Sequence, residues 1–300
     1  MSDPQCPGMM FSRVHDLRRW FVFLSLAATF GCGSHDAARS QRLTITGSST
    51  LAPLVAEIAV QYEATNPDVR VDVQTGGSSR GIRDARAGAA DIGMSSRDLR
   101  PDESESMRGT TSAMDGVAFV VHATNPVPEL TVDQLVAIYS GNVDNWKTVG
   151  GHDAPVVVST RAEGRSELEL VTAFLQLPVE RIVADLVDGE PQQSIKTVTS
   201  NPNAITFTSL GAARHAVDRG ASLRLLPLGG VEATIEAVRT GEFPLARPLM
   251  LICPRSSKRP VVEEFVRFAR SAAAADIALS LGYVPVGIDL AASVVSTDDS

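Results

Sequence analysis

The stretch that decides the fold is residues 43–97, LTITGSSTLAPLVAEIAVQYEATNPDVRVDVQTGGSSRGIRDARAGAADIGMSSR. Apolar residues alternate along its short runs and recur every three or four positions along its longer ones, with Gly, Ser, Asn and Pro between them. The pattern predicts, in order, a strand at 43–45, a helix at 51–62, a strand at 69–73, a Gly/Ser loop at 75–80, a helix to about residue 87 and a strand at 91–94. Strands that alternate with helices at this spacing predict an α/β fold with a mostly parallel sheet.

The same alternation continues through the rest of the chain. Further strands are predicted at 117–122, 156–158, 204–207 and 249–253, and further helices at 130–138, 167–175 and 261–274. A chain of 300 residues is long for one compact core and suits two units of ordinary size.

The amino-terminal residues have the composition of an export signal. Arg13, Arg18 and Arg19 precede an apolar run at 20–30, and small residues follow at 31–34. The run is shorter than the roughly 20 apolar residues that span a bilayer. A buried helix of the folded protein is the competing interpretation, but the flanking arginines and the abrupt polar stretch favour a signal at 1–31.

Cys32 stands directly after this apolar run. Its position is similar to a bacterial lipoprotein cleavage site, which predicts lipidation of Cys32 and a small, polar tether at 32–41. Thr29 and Phe30 depart from the usual pattern, so plain secretion remains the alternative, and 18–21 also loosely resembles a twin-arginine signal. We expect the protein in the periplasm or on the outer cell surface, attached to the membrane by a lipid anchor only.

Charge and composition exclude several classes of function. The net charge of −8 disfavours a nucleic-acid partner, because the phosphate backbone is bound by basic surfaces. Beyond the predicted signal and Cys32 the chain keeps Cys253 alone, and no Cys/His group has zinc spacing. No nucleophile elbow, His-Glu-x-x-His motif or phosphate loop occurs. We therefore expect a binding protein that is not an enzyme and that needs neither metal nor cofactor.

Four polar turns each follow the end of a predicted strand, where open α/β sheets bind ligands. They lie at 47–50, 76–81, 95–97 and 161–166. Hydroxyl groups and helix-end N–H groups satisfy a tetrahedral oxyanion, and an arginine adds a planar, charged fork. Any one of these turns, taken alone, is equally a capped helix or a flexible loop, whereas the four together predict an anion site.

The motifs in these turns, with others along the chain, resemble those of a known family. The matching stretches are Thr46-Gly-Ser-Ser-Thr50, Gly76-Gly-Ser-Ser79, Ala90-Asp-Ile-Gly-Met-Ser-Ser-Arg97, Leu135-Val-Ala-Ile-Tyr-Ser-Gly141 with Asn145-Trp146, Asn203-Ala-Ile-Thr-Phe207, Phe243-Pro-Leu-Ala-Arg-Pro-Leu249 and Leu281-Gly-Tyr-Val-Pro285. In this order they resemble the periplasmic phosphate-binding proteins of ABC importers.

The resemblance implies a two-lobed periplasmic-binding-protein fold of the type II kind, with the ligand in the cleft between the lobes. Lobe one would comprise 42–118 plus 249–300 and lobe two 119–248. Strands at 117–122 and 247–253 would cross between them as a hinge, with Arg247 part of it. The implied partners of the monomer are inorganic phosphate and the membrane subunits of an ABC importer. An oxyanion sensor without a transport role, or a binder of another anion, would have the same fold and remains an alternative.

The resemblance also implies a set of ligand-binding residues. They are Ser49, Thr50, Leu51, Ser78, Ser79, Ser95, Ser96, Arg97, Arg161, Gly164, Arg165, Ser166 and Glu167. Ser96 stands where some family members carry an aspartate that accepts the proton of hydrogen phosphate. The family's Gly-Ser-Gly-Thr is replaced here by Gly164-Arg165-Ser166-Glu167.

This replacement allows three interpretations. In the first, Ser166 caps a helix with Glu169 completing a capping box, while Arg165 and Glu167 face solvent. Alternatively, Glu167 accepts the proton of hydrogen phosphate. In the third interpretation the site takes another oxyanion or none, because a carboxylate that accepts no proton repels a dianion.

Overall fold

The structure, a computed structural model, describes residues 41–286. The predicted export signal, the lipidation site Cys32 and nearly all of the predicted tether lie outside the described residues, as do residues 287–300. None of the helices within 41–286 has the length and apolar character needed to cross a bilayer.

Strands and helices alternate along most of the described chain, which confirms the predicted α/β class. Its strands are β1 (Gln41–Gly47), β2 (Val69–Thr75), β3 (Ile92–Ser95), β4 (Met107–His122), β5 (Val157–Arg161), β6 (Leu186–Asp188), β7 (Ala204–Ser209), β8 (Leu223–Leu225), β9 (Ala246–Pro254) and β10 (Val284–Pro285). Its α-helices are α1 (Ala52–Thr65), α2 (Ser78–Arg86), α3 (Pro101–Ser104), α4 (Val132–Tyr139), α5 (Ser166–Leu175), α6 (Pro191–Ser200), α7 (Leu210–Asp218), α8 (Ile235–Thr240), α9 (Pro260–Phe268) and α10 (Ala272–Ser280).

The strands form one mixed sheet in the order β2-β1-β3-β9-β4-β7-β5-β6, with β8 and β10 also paired to β4. The prediction of a mostly parallel sheet was wrong, because β4 and β9 pair antiparallel with their neighbours. β1 runs parallel to β2 and β3, and β5 runs parallel to β6 and β7. β9 runs antiparallel to both β3 and β4. We call β1–β3 with α1, α2, α9 and α10 the first half, and β5–β7 with α4–α7 the second half.

β4 and β9 connect the two halves. β4 is 16 residues long and pairs with β9 over 107–116, then with β7 over 117–121. The crossover strands predicted at 117–122 and 247–253 fall within β4 and β9, although β4 begins at Met107, well before the predicted strand. The chain thus passes between the halves along two neighbouring strands.

Each half has its own apolar core. In the first, the ring of Tyr62 on α1 packs edge-on against Phe265 on α9 at 5.2 Å between centroids. In the second, Phe119, Tyr139 and Phe207 pack around one another at 5.7–5.9 Å. Two cores joined by two strands agree with the predicted two-lobed fold, while the lobe boundaries at 118/119 and 248/249 stay predictions.

Two local predictions were wrong. The Gly/Ser loop predicted at 75–80 is shorter, because α2 already begins at Ser78. The single helix predicted at 261–274 is two helices, since the chain leaves helical geometry after α9 and the Ser271 side chain caps α10 by accepting a hydrogen bond from Ala274 N.

Candidate functional site

Three helix N-termini meet at the side chain of Ser96. Ser48 lies in the turn before α1, Ser78 is the first residue of α2, and Ser166 is the first residue of α5. Their hydroxyl oxygens lie 2.8, 3.4 and 2.7 Å from Ser96 Oγ, respectively. All four serines are at most 2% exposed. Since helix N-termini carry unpaired N–H groups and partial positive charge, this buried point favours an anion.

Local sequence explains how the first two helix ends come so close. β1 ends at Gly47 with φ +137°, and a Cβ at that position would lie 2.2 Å from the carbonyl oxygen of Met94 on β3. Only glycine allows this approach of backbone to backbone. The turn that follows then places Ser48 Oγ where it accepts a hydrogen bond from Leu51 N at 3.3 Å.

Arg247, in β9, is 2% exposed and contacts Ser96 and Ser166. Together with Ser48, Ser78 and Thr50 these residues form a buried group that we call the cluster. Its Nη1 donates to Ser166 Oγ at 3.0 Å, and its Nη2 donates to Thr50 Oγ1 at 3.1 Å. Burial lowers the pKa of the Arg247 guanidinium, but the carboxylates of Glu167 and Asp115 raise it by more. Arg247 therefore keeps its charge inside the protein.

Arg161, the last residue of β5, is 1% exposed. Its Nη1 donates to Ser194 Oγ at 2.8 Å and its Nη2 to the Gly189 carbonyl oxygen at 3.3 Å. Burial lowers the pKa of this guanidinium, and Glu167 offsets part of that effect. Within residues 41–286, neither Arg161 Nε nor Arg247 Nε has a hydrogen-bond acceptor. Each of these two arginines therefore has one N–H donor, at Nε, that is not engaged in a hydrogen bond within these residues.

Two buried carboxylates balance these arginines. Asp115 lies opposite Arg247 in the β4–β9 pair, 3.0 Å from its Nη2, and burial raises the pKa of this carboxyl. Glu167 Oε1 accepts from Thr50 Oγ1 at 2.7 Å and from Arg247 Nη2 at 3.2 Å, and lies 4.0 Å from Arg161 Nη2. Burial alone would raise the pKa of Glu167, yet Arg247 and Arg161 bring it down to about 2.

The predicted site residues fall into three groups. The structure brings one group together in the cluster: Thr50, Leu51, Ser78, Ser96, Arg161, Ser166 and Glu167. A second group lies at its edge: Ser49, Ser79, Gly164 and Arg165. The third group, Ser95 and Arg97, is directed elsewhere.

The edge residues form contacts between the two halves. Arg165 Nη1 donates to Ser49 Oγ at 3.0 Å, and its Nη2 lies 3.2 Å from Glu190 Oε1. Gly164 lies against Gly77, where a Cβ would come within 2.6 Å of the Gly164 carbonyl oxygen. The charge of Arg165 is thus engaged outside the buried cluster.

Arg97 makes no hydrogen bond to the cluster, although it lines a small cavity together with Ser96, Ser166 and Arg247. Its guanidinium forms a two-pronged pair with Glu103 at 2.7 and 2.9 Å, and its Nε lies 3.1 Å from Glu169 Oε2. Ser95 Oγ donates to the Arg97 carbonyl oxygen at 2.9 Å and so supports the local turn. The hydrogen bonds from Arg97 hold the pKa of Glu103 down at about 2.

The capping-box interpretation of the altered loop was wrong. The residue that precedes α5 is Arg165, and Ser166 already lies inside the helix with its hydroxyl directed to Ser96. Glu167 is 2% exposed and does not face solvent. Glu169 contacts Arg97 instead of closing a box with Ser166.

The start of α5 carries a series of contacts to the first half. Arg165 contacts Ser49, and Ser166 contacts Ser96. Glu167 contacts Thr50, and Glu169 contacts Arg97. These are side-chain contacts across the cleft, whereas β4 and β9 join the halves covalently. The start of α5 therefore contributes both to the buried cluster and to the side-chain contacts between the two halves.

Sequence reasoning missed Ser48, Arg247 and Asp115 as site residues: the turn 47–50 was predicted to bind an anion without Ser48 as a contact, and Arg247 was predicted only as part of the hinge. A signal was present: Arg247 interrupts an otherwise apolar strand, and Asp115 stands just before the apolar run 117–121. A charged residue inside a buried strand requires a partner, which these two residues supply to each other.

A cavity of about 630 Å³ opens beside the cluster, and its lining includes Thr50 of the cluster and Ser49 and Glu190 at the cluster's edge. Its wall is mainly apolar and includes Pro53, Val73 and other residues of both halves, so its chemistry differs from that of the cluster. Among residues 41–286 no group of three or more His, Cys, Asp or Glu side chains is arranged to hold a metal ion.

The chain is similar to several known proteins. The family model of the PBP superfamily domain matches residues 33–273. The phosphate-binding protein PstS of Borreliella burgdorferi is 25% identical over 274 residues, which cover 88% of this chain and 96% of that protein. PstS of Bacillus subtilis is 27% identical over 289 residues, which cover 88% and 91%.

Solved structures of phosphate-binding proteins are also similar to this chain. An ABC-type phosphate transport receptor from Vibrio cholerae has a TM-score of 0.67 at 31% identity, covering 81% of this chain and 99% of the other. A candidate phosphate ABC transporter substrate-binding protein from Clostridium perfringens, with bound phosphate, has a TM-score of 0.76 at 29% identity, covering 82% and 100%. The chain therefore belongs to the PBP superfamily, and its resemblance to the phosphate-binding proteins of ABC importers is confirmed.

Proposed function

We propose that this chain captures inorganic phosphate at the serine–arginine cluster and delivers it to an ABC importer, without catalysing a reaction on it. The observation that carries the proposal is the convergence of three helix N-termini and the buried Arg247 on Ser96, with the buried Arg161 4.0 Å from Glu167 of the same cluster. Relatives that cover nearly the same length are phosphate-binding and phosphate transport proteins by name.

The donors of the cluster suit a tetrahedral oxyanion. Phosphate oxygens accept hydrogen bonds, and the cluster supplies serine hydroxyls, helix-end N–H groups and guanidinium N–H groups. The Nε atoms of Arg161 and Arg247, which have no acceptor within 41–286, add two further donors. The contacts proposed for the anion come from Thr50, Leu51, Ser78, Ser96, Arg161 and Ser166, with Arg247 added to the set expected from sequence.

The remaining parts of the proposal concern location and assembly. The protein would be exported by the signal at 1–31, anchored through lipidated Cys32, and would act as a monomer that presents phosphate to the importer's membrane subunits. Extracytoplasmic capture followed by hinge closure at β4 and β9 would bury the anion between the halves. The amino-terminal composition and the names of the relatives support this arrangement.

Calorimetric titration with phosphate tests the function, after unfolding and refolding to remove any co-purified anion. We expect tight phosphate binding and rejection of sulfate, with arsenate as the phosphate-like comparator. Arg161→Met should weaken phosphate binding by about 30-fold or more, since losing one partner of a buried charge contact costs about 2–5 kcal/mol. Arg181→Met, which removes an exposed arginine of the second half, is the matched control and should bind as the wild type does.

Two results would contradict the proposal. The absence of binding heat with all three oxyanions would show that the cluster does not capture phosphate. Equal phosphate affinity in Arg161→Met and Arg181→Met would remove Arg161 from the site.

A further inference from the structure

The Glu167 carboxylate sits among the donors that the proposed anion would use. It is 2% exposed and accepts from Thr50 Oγ1 at 2.7 Å and from Arg247 Nη2 at 3.2 Å. Thr50 and Arg247 are also part of the cluster around Ser96. The Glu167 carboxylate and the charged oxygens of a phosphate ion both accept hydrogen bonds, so one N–H or O–H cannot be given fully to both.

The positive charges of the buried arginines are already matched without any added anion. Arg161 and Arg247 contribute two positive charges, and Asp115 and Glu167 contribute two negative charges, all at most 2% exposed. Other ionisable groups face this set from several elements: Asp188 on β6, itself 6% exposed, and Arg165 lie next to Arg161, Tyr283 donates to the Thr50 carbonyl oxygen, and Glu169 lies two residues after Glu167 on α5. Arg165 is paired with Glu190, so it adds no free positive charge to the cluster.

A doubly charged oxyanion therefore enters a site whose charge is already balanced. Uncompensated charge is expensive to bury, and the cost rises steeply from one charge to two.

We propose that Glu167 is a specificity-determining residue that competes with the oxyanion for Thr50 and Arg247, and so favours singly charged over doubly charged phosphate. The proposal rests on the proposed function. The low pKa of Glu167 keeps the carboxylate charged, as charge competition requires. The alternative role, in which Glu167 accepts a hydrogen bond from a phosphate hydroxyl, predicts the opposite result: phosphate would bind less tightly once the carboxylate is removed.

Glu167→Gln tests the competition, because glutamine keeps the shape and a hydrogen-bond acceptor while removing the charge. At pH 8 we expect phosphate to bind at least tenfold more tightly to Glu167→Gln than to the wild type, by calorimetry. Glu163→Gln removes an exposed carboxylate from the same loop and should leave the affinity unchanged. Glu167→Thr removes the charge and supplies a hydroxyl, so it should also bind phosphate more tightly than the wild type. This second variant keeps the test decisive if Glu167→Gln fails to fold.

The pH dependence separates charge competition from a purely structural role. Phosphate becomes singly charged as the pH falls from about 8 to about 6. The gain in affinity over this interval should be larger in the wild type than in Glu167→Gln, because the variant's cluster carries one positive charge that offsets part of a dianion.

Each outcome decides a different point. If the wild type binds phosphate and neither variant binds it more tightly at pH 8, the inference fails and the proposed function stands. Binding by the variants but not by the wild type would support the inference and overturn phosphate capture by the natural chain. If no protein binds phosphate, both fail.

Discussion

Replacing Arg247 with methionine should destabilise the protein strongly. Methionine fills a similar volume but leaves Asp115 and Glu167, which are 1% and 2% exposed, without their shared cation. Removing one partner of a buried ion pair typically costs about 3–5 kcal/mol of the free energy of unfolding. Against a total of about 5–15 kcal/mol for a natural domain, this is a large fraction of the stability.

Equilibrium unfolding in urea at pH 7, followed by the fluorescence of buried Trp146, measures the loss. Arg239→Met breaks an exposed pair with Glu236 and should leave the free energy of unfolding nearly unchanged. The deficit of Arg247→Met should narrow as the pH falls from 6 to 4, because protonation relieves the unpaired carboxylates. A deficit no larger than that of Arg239→Met would refute the view that Arg247 neutralises buried charge.

Two further predictions concern single titratable groups. The folded pKa of Glu167, about 2, lies below its ordinary 4.5, so its stabilising effect is complete above about pH 5 and lost as the pH falls towards 2. On the order of 3 kcal/mol should disappear over that range in the wild type but not in Glu167→Gln, by urea unfolding at stepped pH. Burial raises the pKa of Cys253 to about 12, so its thiol should be alkylated far more slowly at pH 8 than in urea, by mass spectrometry of its peptide. Equal alkylation rates in buffer and in urea would show that Cys253 is accessible in the folded protein.

Local signals explain why much of the fold could be predicted. β1, α1 and β2 each have clear apolar periodicity, and Asn66-Pro67 marks the end of α1. The first part of β4 has no such signal, since Ser112 and Asp115 place polar side chains on buried positions. Its stability as a strand depends on β9, more than a hundred residues away, which no local pattern reports.

The candidate site, like the fold, could be predicted from the sequence only in part. The serine and threonine turns were predictable because each lies at a strand end or a helix start. The direction of Arg97 was not, because Glu103 and Glu169 attract it away from the cluster. Arg247 was assigned to the hinge alone, because its partner Asp115 is 132 residues distant in the sequence.

The contacts at the start of α5 have an evolutionary consequence. Four neighbouring residues, at 165–167 and 169, touch both the anion cluster or its edge and the opposite half of the protein. Under the proposed function, a substitution there would change in a single step both the preferred anion and the contacts that hold the two halves together. Selection for a different ligand would then also change the closure of the cleft, and further substitutions along this turn would be needed to restore it.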